Sequence, residues 1–266
     1  MNIFEHVQAT VSGSKADVSV IGKSVCGRDI LCAHCGSYLP PQIIVTAAIH
    51  ARECYTALVV LEQIDKFCGT HGGAYFIPLV NPDGALFFEQ GIARGSETLE
   101  SFISSHRYWK ANANGVDLNC NFDANWGSGA QNKRYVAPSD YIGASPQSEP
   151  ESRALVEFTR KVMPAATVSY HCMGGELYWE FFQKATARKR DCRLAKLIAN
   201  RIDVKKVDGH LNSAGGYKDY CVMRLGIPAF TIELIKKGDH PFSPSDFAED
   251  IAKNADLPRF ILDILR

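Results

Sequence analysis

The sequence predicts an α/β fold: a single domain over residues 1–266, built on a mixed, mostly parallel twisted sheet with helices on both faces. Three observations carry the prediction. Strand-like and helix-like segments alternate along the chain, the pattern that crossover connections in a parallel sheet produce. The strand candidates "QIIVTAAIH" and "AYFIPLV" are near-continuous apolar runs, as expected of strands covered on both faces. A chain of 266 residues with 46% hydrophobic content buries one large core without needing a second.

The elements run in order. "DVSVIG" (from Asp17) and "RDILCAHCG" (from Arg28) read as two strands around a turn at Gly27. "QIIVTAAIH" is a strand ending on His50, and residues 53–67, with Leu58, Leu61 and Ile64 apolar, suit a helix. "AYFIPLV" is a strand closed by "NPDG" (Asn81 to Gly84), a turn signal. From Ala85 to Ala144 the chain is rich in Asn, Gly and Ser without clear periodicity, and so long an irregular stretch is functional or disordered. "SEPE" (Ser148 to Glu151) reads as a capping box opening a helix to about Val162. "AATVSYH" is a strand ending on His171, residues 185–202 a helix, "YKDYCVMRL" a short helix, "PAFTIEL" a strand ending near Glu233, and the last twenty residues a helix.

Composition narrows the function. Lys plus Arg equals Asp plus Glu at 29 each, with no long run of either sign, so neither a nucleic-acid nor a membrane-surface partner is expected. No apolar run approaches the length of a bilayer span. The start lacks a basic region followed by an apolar stretch, so no signal peptide is expected. Nine scattered cysteines, an odd number, point to reduced thiols and a cytoplasmic location; a monomer is expected. "CAHC" (Cys32 to Cys35) is a lone CxxC with no second pair to complete a zinc site.

Three apolar runs end on chemically capable residues: His50, His171 and Glu233. Ligands of open α/β sheets bind beyond the carboxyl ends of strands. Zinc catalysis needs two or three imidazole or carboxylate ligands and an open position. His50 and Glu53 can supply two ligands from one turn and His171 a third, with Glu233 as a carboxylate base and Asp117 as the acceptor that orients a histidine. On spacing alone, His50 and Glu53 serve equally as an ordinary strand end and helix start.

Beyond spacing, "HARE" (His50 to Glu53), "NPDG", "WKANANGVDLNCNF" (Trp109 to Phe122), "SYHCMGGELYW" (Ser169 to Trp179), "SAGGYKDY" (Ser213 to Tyr220) and "GIPAFTIEL" (Gly226 to Leu234) resemble, in order, the motifs of the zinc carboxypeptidases. The resemblance implies one zinc ion per chain held by His50, Glu53 and His171, with Glu233 as general base and acid and Asp117 orienting His50. It implies that Asn119 bonds a substrate carboxylate and Arg52 lines a subsite. Lys110 stands where the family has an arginine that steadies the oxyanion; a lysine acts there as a point charge, not a bidentate fork.

Three positions depart from the family. Cys120 stands where an arginine grips the substrate's terminal carboxylate, Leu211 where a tyrosine caps the substrate, and Lys218 at the base of the side-chain pocket. Lys133 and Arg134 are candidates to replace the missing arginine. Asp219 and Tyr217 read first as cap and core residues and, with Lys218, as candidate substrate contacts. The remaining histidines (His6, His34, His71, His106, His210, His240) read as surface or structural. "GGELYW" and "GGYKDY" look most like bacterial γ-D-glutamyl-diamino acid peptidases, and "KANANGVDLN" also resembles murein tripeptide amidases. The implied substrate is a small muropeptide, cut between γ-D-glutamate and meso-diaminopimelate. One rival is a carboxypeptidase removing ordinary C-terminal L-residues. The other is a peptide-binding pseudopeptidase.

Overall fold

The computed structural model describes residues 1–68, 71–90, 108–209 and 212–266. Leu211, His106 and His210 lie outside them. Among the described residues the eight strands are β1 (Asp17–Lys23), β2 (Asp29–Gly36), β3 (Gln42–Ala47), β4 (Gly73–Ile77), β5 (Ala166–Cys172), β6 (Glu176–Tyr178), β7 (Lys205–Val207) and β8 (Ala229–Leu234). They form one sheet in the order β1-β2-β4-β3-β5-β8-β6-β7. The centre, β4-β3-β5-β8, is parallel; β1, β2 and β6 join antiparallel. The sheet is mixed α/β, as the alternating pattern predicts.

Side-chain alternation divides the core. Ile43, Val45, Val168, Tyr170, Phe230 and Ile232 point to one face. There they meet helices α1 (Ile3–Gly13), α2 (Ala57–Lys66), α5 (Ala185–Ile202) and α8 (Leu257–Ile264). Ile30, Cys32, Ile44 and Ala229 point to the other, against α4 (Pro150–Val162) and α6 (Tyr217–Tyr220). Each fully buried Ile or Val contributes about 1.5–3 kcal/mol. On β5 and β8 the odd-numbered residues, His171 and Glu233 among them, belong to the second face. These two are Cα partners in the β5–β8 ladder, so their side chains leave the sheet together at its carboxyl end.

The structure corrects several readings. Helix α1 has no counterpart in the sequence reading; Asn2 caps it, its Oδ1 accepting the Glu5 N–H at 2.8 Å. Strand β3 stops at Ala47, so His50 lies three residues past its end, before a 3-10 turn, Ala51–Thr56, that feeds α2. "NPDG" opens helix α3 (Pro82–Gln90) rather than a turn, because Pro82 suits the first helical turn, where its missing N–H costs nothing. Helix α4 is capped from Glu149, with no side-chain bond from Ser148 to the backbone. The last residues form two helices, α7 (Ala248–Asn254) and α8, not one.

Candidate metal centre

After β3 the backbone turns at Ala48, which adopts φ 52°, a conformation that costs an L-residue roughly 1–2 kcal/mol. The Ala48 N–H donates to Thr56 Oγ1 (3.0 Å), and Thr56 Oγ1 donates to the Glu53 carbonyl (2.7 Å). The 3-10 turn is also bound to the loop around Lys110, with Ala51 N–H on Lys110 O (3.0 Å) and Arg52 N–H on Trp109 O (2.9 Å). Buried Asn81 joins both segments: its Nδ2 donates to the Ile49 and Ala111 carbonyls, each at 3.2 Å, and its Oδ1 accepts the Gly84 N–H at 2.9 Å. A Cβ at Gly84 would come 2.5 Å from Asn81 Nδ2, so only glycine permits this approach. "NPDG" thus clamps the histidine turn.

His50, Glu53 and His171 are all buried. His50 Nδ1 lies 2.9 Å from Glu53 Oε1, His171 Nδ1 lies 3.2 Å from Glu53 Oε2, and the two Nδ1 atoms are 3.3 Å apart. His50 Nε2 donates to Asp117 Oδ1 at 3.2 Å, which fixes the tautomer and turns the Nδ1 lone pair toward the other two donors. Tetrahedral zinc with bonds of about 2.1 Å separates its ligand atoms by about 3.4 Å. Two imidazole nitrogens 3.3 Å apart, each with one oxygen of the same Glu53 carboxylate beside it, therefore fit the ion.

The charges are strongly coupled. Burial opposes protonation of His50, but the Glu53 and Asp117 carboxylates overcome it and push the imidazole up to about 9. Burial opposes the charge on Glu53, yet His50 and His171 hold it well below the usual carboxylate range. Burial, then the Glu53 charge, pushes Glu233 up to about 8. Burial would lower Lys110, but Glu53 and Asp117 raise it above its ordinary value, so it is a cation. A divalent cation among the three donors opposes the push on Glu233, because positive charge favours its ionised form.

A cavity of about 490 Å³ opens over these groups, with His50, His171, Lys110 and Glu233 in its wall. Asn119, Cys120, Lys218 and Asp219 also line it. Lys218 is 10% exposed along its side chain, so it does not stand on a solvated helix face. Its Nζ donates to Asp219 Oδ1 at 2.5 Å and to the Glu180 carbonyl at 3.1 Å, over the Phe181 ring. Asp219 also accepts the Gly216 N–H at 3.1 Å, so it caps α6 and faces the cavity at once.

Other candidates fall elsewhere. Tyr217 is a core residue, not a substrate contact: it is 1% exposed and its hydroxyl bonds Thr159 Oγ1 at 2.7 Å. Lys133 is spent on Asp140 (3.3 Å) and the Ser139 carbonyl (3.1 Å), and exposed Arg134 lies over Trp126, 5.5 Å from the ring centre; neither lines the cavity. Arg52 sits outside that wall, its Nε 4.0 Å from Glu53 Oε1. His34 is buried under Tyr38. Asp140 and Tyr178 line the cavity unforeseen. Asp140 had no motif to mark it, whereas Tyr178 stood inside the quoted "GGELYW" run.

Fold and site together define an α/β protein with a His–Glu–His zinc centre. The chain belongs to the zinc carboxypeptidase family, whose model matches residues 4–256. Gamma-D-glutamyl-L-diamino acid endopeptidase 1 of Lysinibacillus sphaericus is 31% identical over 231 residues, 77% of this chain and 57% of that protein. The chain thus spans little more than half that relative's length. Among solved structures, murein-tripeptide amidase of Escherichia coli O157 superposes with a TM-score of 0.66 at 22% identity, over 95% of each chain. Bovine thrombin-activatable fibrinolysis inhibitor, solved with a tick carboxypeptidase inhibitor, gives 0.80 at 19% identity, over 100% of this chain and 97% of that one. Both likenesses concern the fold. No described helix is long and apolar enough to cross a membrane.

Proposed function

We propose that the protein is a zinc peptidase that hydrolyses the bond between γ-D-glutamate and meso-diaminopimelate in peptidoglycan-derived peptides. The observation that carries the substrate class is the Lys218–Asp219 pair in the cavity wall. Diaminopimelate ends in a second amino-carboxylate head. A half-buried cation beside a buried anion offers a complementary partner to each half of that zwitterion. The name of the Lysinibacillus relative, which spans most of this chain, supports the same substrate.

In this reading His50, Glu53 and His171 hold the zinc, and Asp117 fixes the ring of His50. Bound there, zinc supplies Lewis-acid activation of the water and the scissile carbonyl. Glu233 accepts the proton of the attacking water and delivers it to the leaving amine. Lys110, half-buried and charged, stabilises the oxyanion that develops on the carbonyl. Asn119 donates to the substrate's polar tail. The enzyme works as a cytoplasmic monomer; its nine free cysteines suit a reducing compartment.

The test is kcat/KM for L-Ala-γ-D-Glu-meso-diaminopimelate beside the L-Lys analogue and hippuryl-Phe. The diaminopimelate peptide is cleaved fastest and hippuryl-Phe hardly at all. Lys218→Ala narrows the gap between the first two by about 1–2 kcal/mol, the scale of one charge-assisted hydrogen bond. Equal rates for the two γ-glutamyl peptides in the wild type defeat the pocket assignment, and a preference for hippuryl-Phe defeats the muropeptide reading.

A further inference from the structure

We infer that the cavity wall around Cys120 receives an uncharged carbonyl group, so that the preferred leaving residue has its own α-carboxyl already in amide linkage: a carboxamide, or a chain that continues. The inference rests on the proposed function for the identity of the acyl group, and goes beyond it in naming the chemistry on the far side of the scissile bond.

The family resemblance puts a guanidinium at position 120, and this chain has a thiol. The described cations near it are already engaged. Lys218, beside Asp219, is taken by the distant amino-carboxylate head in the proposed function, Lys133 is paired with Asp140, and Lys110 sits among the Glu53 and Asp117 carboxylates. Two carboxylates stand next to the thiol itself: Asp117, Cys120 and Asp140 bring an oxygen, a sulfur and an oxygen within 4.8 Å of one another. Burial, then Asp117 and Asp140, push the thiol well above its ordinary value, so it stays protonated and neutral. Asp117 and Asp140 are themselves paired with His50 and Lys133, so what a substrate carboxylate placed here lacks is an unshared cation in the cavity wall.

A neutral carbonyl fares differently. Asn119 lines the same cavity, and its Oδ1 is committed as the acceptor of the Tyr217 N–H at 3.1 Å. That fixes the amide's orientation and leaves its Nδ2 as a donor with no partner among the described residues. A carbonyl oxygen satisfies this donor without bringing a charge. The Cys120 thiol, small and weakly polar, leaves room where a guanidinium would fill it.

The test compares C-termini on one acyl group, with zinc-loaded protein. Three substrates are used: L-Ala-γ-D-Glu-meso-diaminopimelate, the same peptide with the L-centre carboxyl as a carboxamide, and the form extended by D-Ala. The two amide-linked substrates are cleaved with kcat/KM about tenfold or more above the free acid, the scale of desolvating a charged group without giving it a partner. Cys120→Arg reverses the order, and Cys120→Lys shifts it the same way by less. If neither variant folds, the wild-type ratio decides alone. A free acid cleaved as fast as the amides, or faster, overturns the inference, as does a folded Cys120→Arg with an unchanged ratio. If no γ-glutamyl peptide is turned over, the substrate reading has failed and the ratio is measured on hippuryl-Phe against its amide, with the same criteria. Turnover of neither series overturns both.

Discussion

Asp117→Asn tests the metal centre at the residue that orients it. Asp117 is 1% exposed and receives three hydrogen bonds: from His50 Nε2 at 3.2 Å, Asn119 N at 3.1 Å and Asp140 N at 3.1 Å. The first two fall on Oδ1 and the third on Oδ2. An asparagine has one acceptor oxygen. Its least costly orientation keeps His50 and Asn119 on that oxygen and turns its amide NH2 against the Asp140 N–H. A buried donor left unpaired costs about 1–3 kcal/mol, which appears as lost stability of the zinc-free protein. The loss of charge acts separately. His50 loses one of the two carboxylates that hold its imidazole up near 9, so it becomes a weaker base and a weaker ligand. Removing such an outer partner weakens metal binding about 10–100-fold, or about 1.4–2.7 kcal/mol. Zinc affinity is measured by competition with a chromophoric chelator at fixed pH, and stability by denaturant unfolding of the zinc-free form. The ring signals of His50 followed by NMR in the zinc-free protein show its pKa falling in the variant. A dissociation constant within about twofold of wild type, in a folded variant, refutes the reasoning.

Four further outcomes are expected. Removing zinc with a chelator abolishes peptidase activity, and one equivalent per chain restores it; full activity in metal-free protein refutes a catalytic ion. Glu233→Gln keeps its zinc but loses about 10²-fold or more in turnover, and a variant within about threefold of wild type shows that another group moves the proton. Lys110→Ala lowers kcat with little change in KM, since an oxyanion exists only on the way to the transition state; a pure KM effect assigns Lys110 to substrate binding instead. Glu151, pushed up to about 7 by burial above all, binds its proton more tightly folded than unfolded, so its contribution favours folding below pH ~4.5 and is lost as pH rises through about 7. The stability of Glu151→Gln relative to wild type therefore rises by roughly 2–3 kcal/mol between pH 4.5 and 7.5 and then levels off; a flat difference across that window shows that Glu151 does not titrate there.

The features legible in the sequence are those whose physics is local. Strands β3, β5 and β8 are covered on both faces, so runs dominated by apolar and β-branched residues identify them, and the chemistry-bearing residues stand at or near the ends of those runs. Helix α1 shows only three fully buried positions, Ile3, Val7 and Val11, and its start is carried by Asn2 and Glu5, too little periodicity to stand out beside an exposed edge strand. "NPDG" is ambiguous by nature, since Asn, Pro and Gly serve a turn and a helix start alike; only the bonds from Asn81 to Ile49 and Ala111 decide between them. The cleft is harder to read for the same reason. Lys218 and Asp219 are adjacent in sequence, yet their burial depends on Glu180 and Phe181, which arrive from elsewhere in the chain. Asp140 reaches the cavity only because its N–H docks on Asp117, a contact across an irregular stretch with no period. A catalytic centre needs a few residue types at fixed positions, and those leave a motif. A specificity pocket needs only the right net charge and space, which many sequences supply, so at Cys120 the motif shows the missing guanidinium, while the Asp117 and Asp140 carboxylates beside the thiol come into view only in the fold.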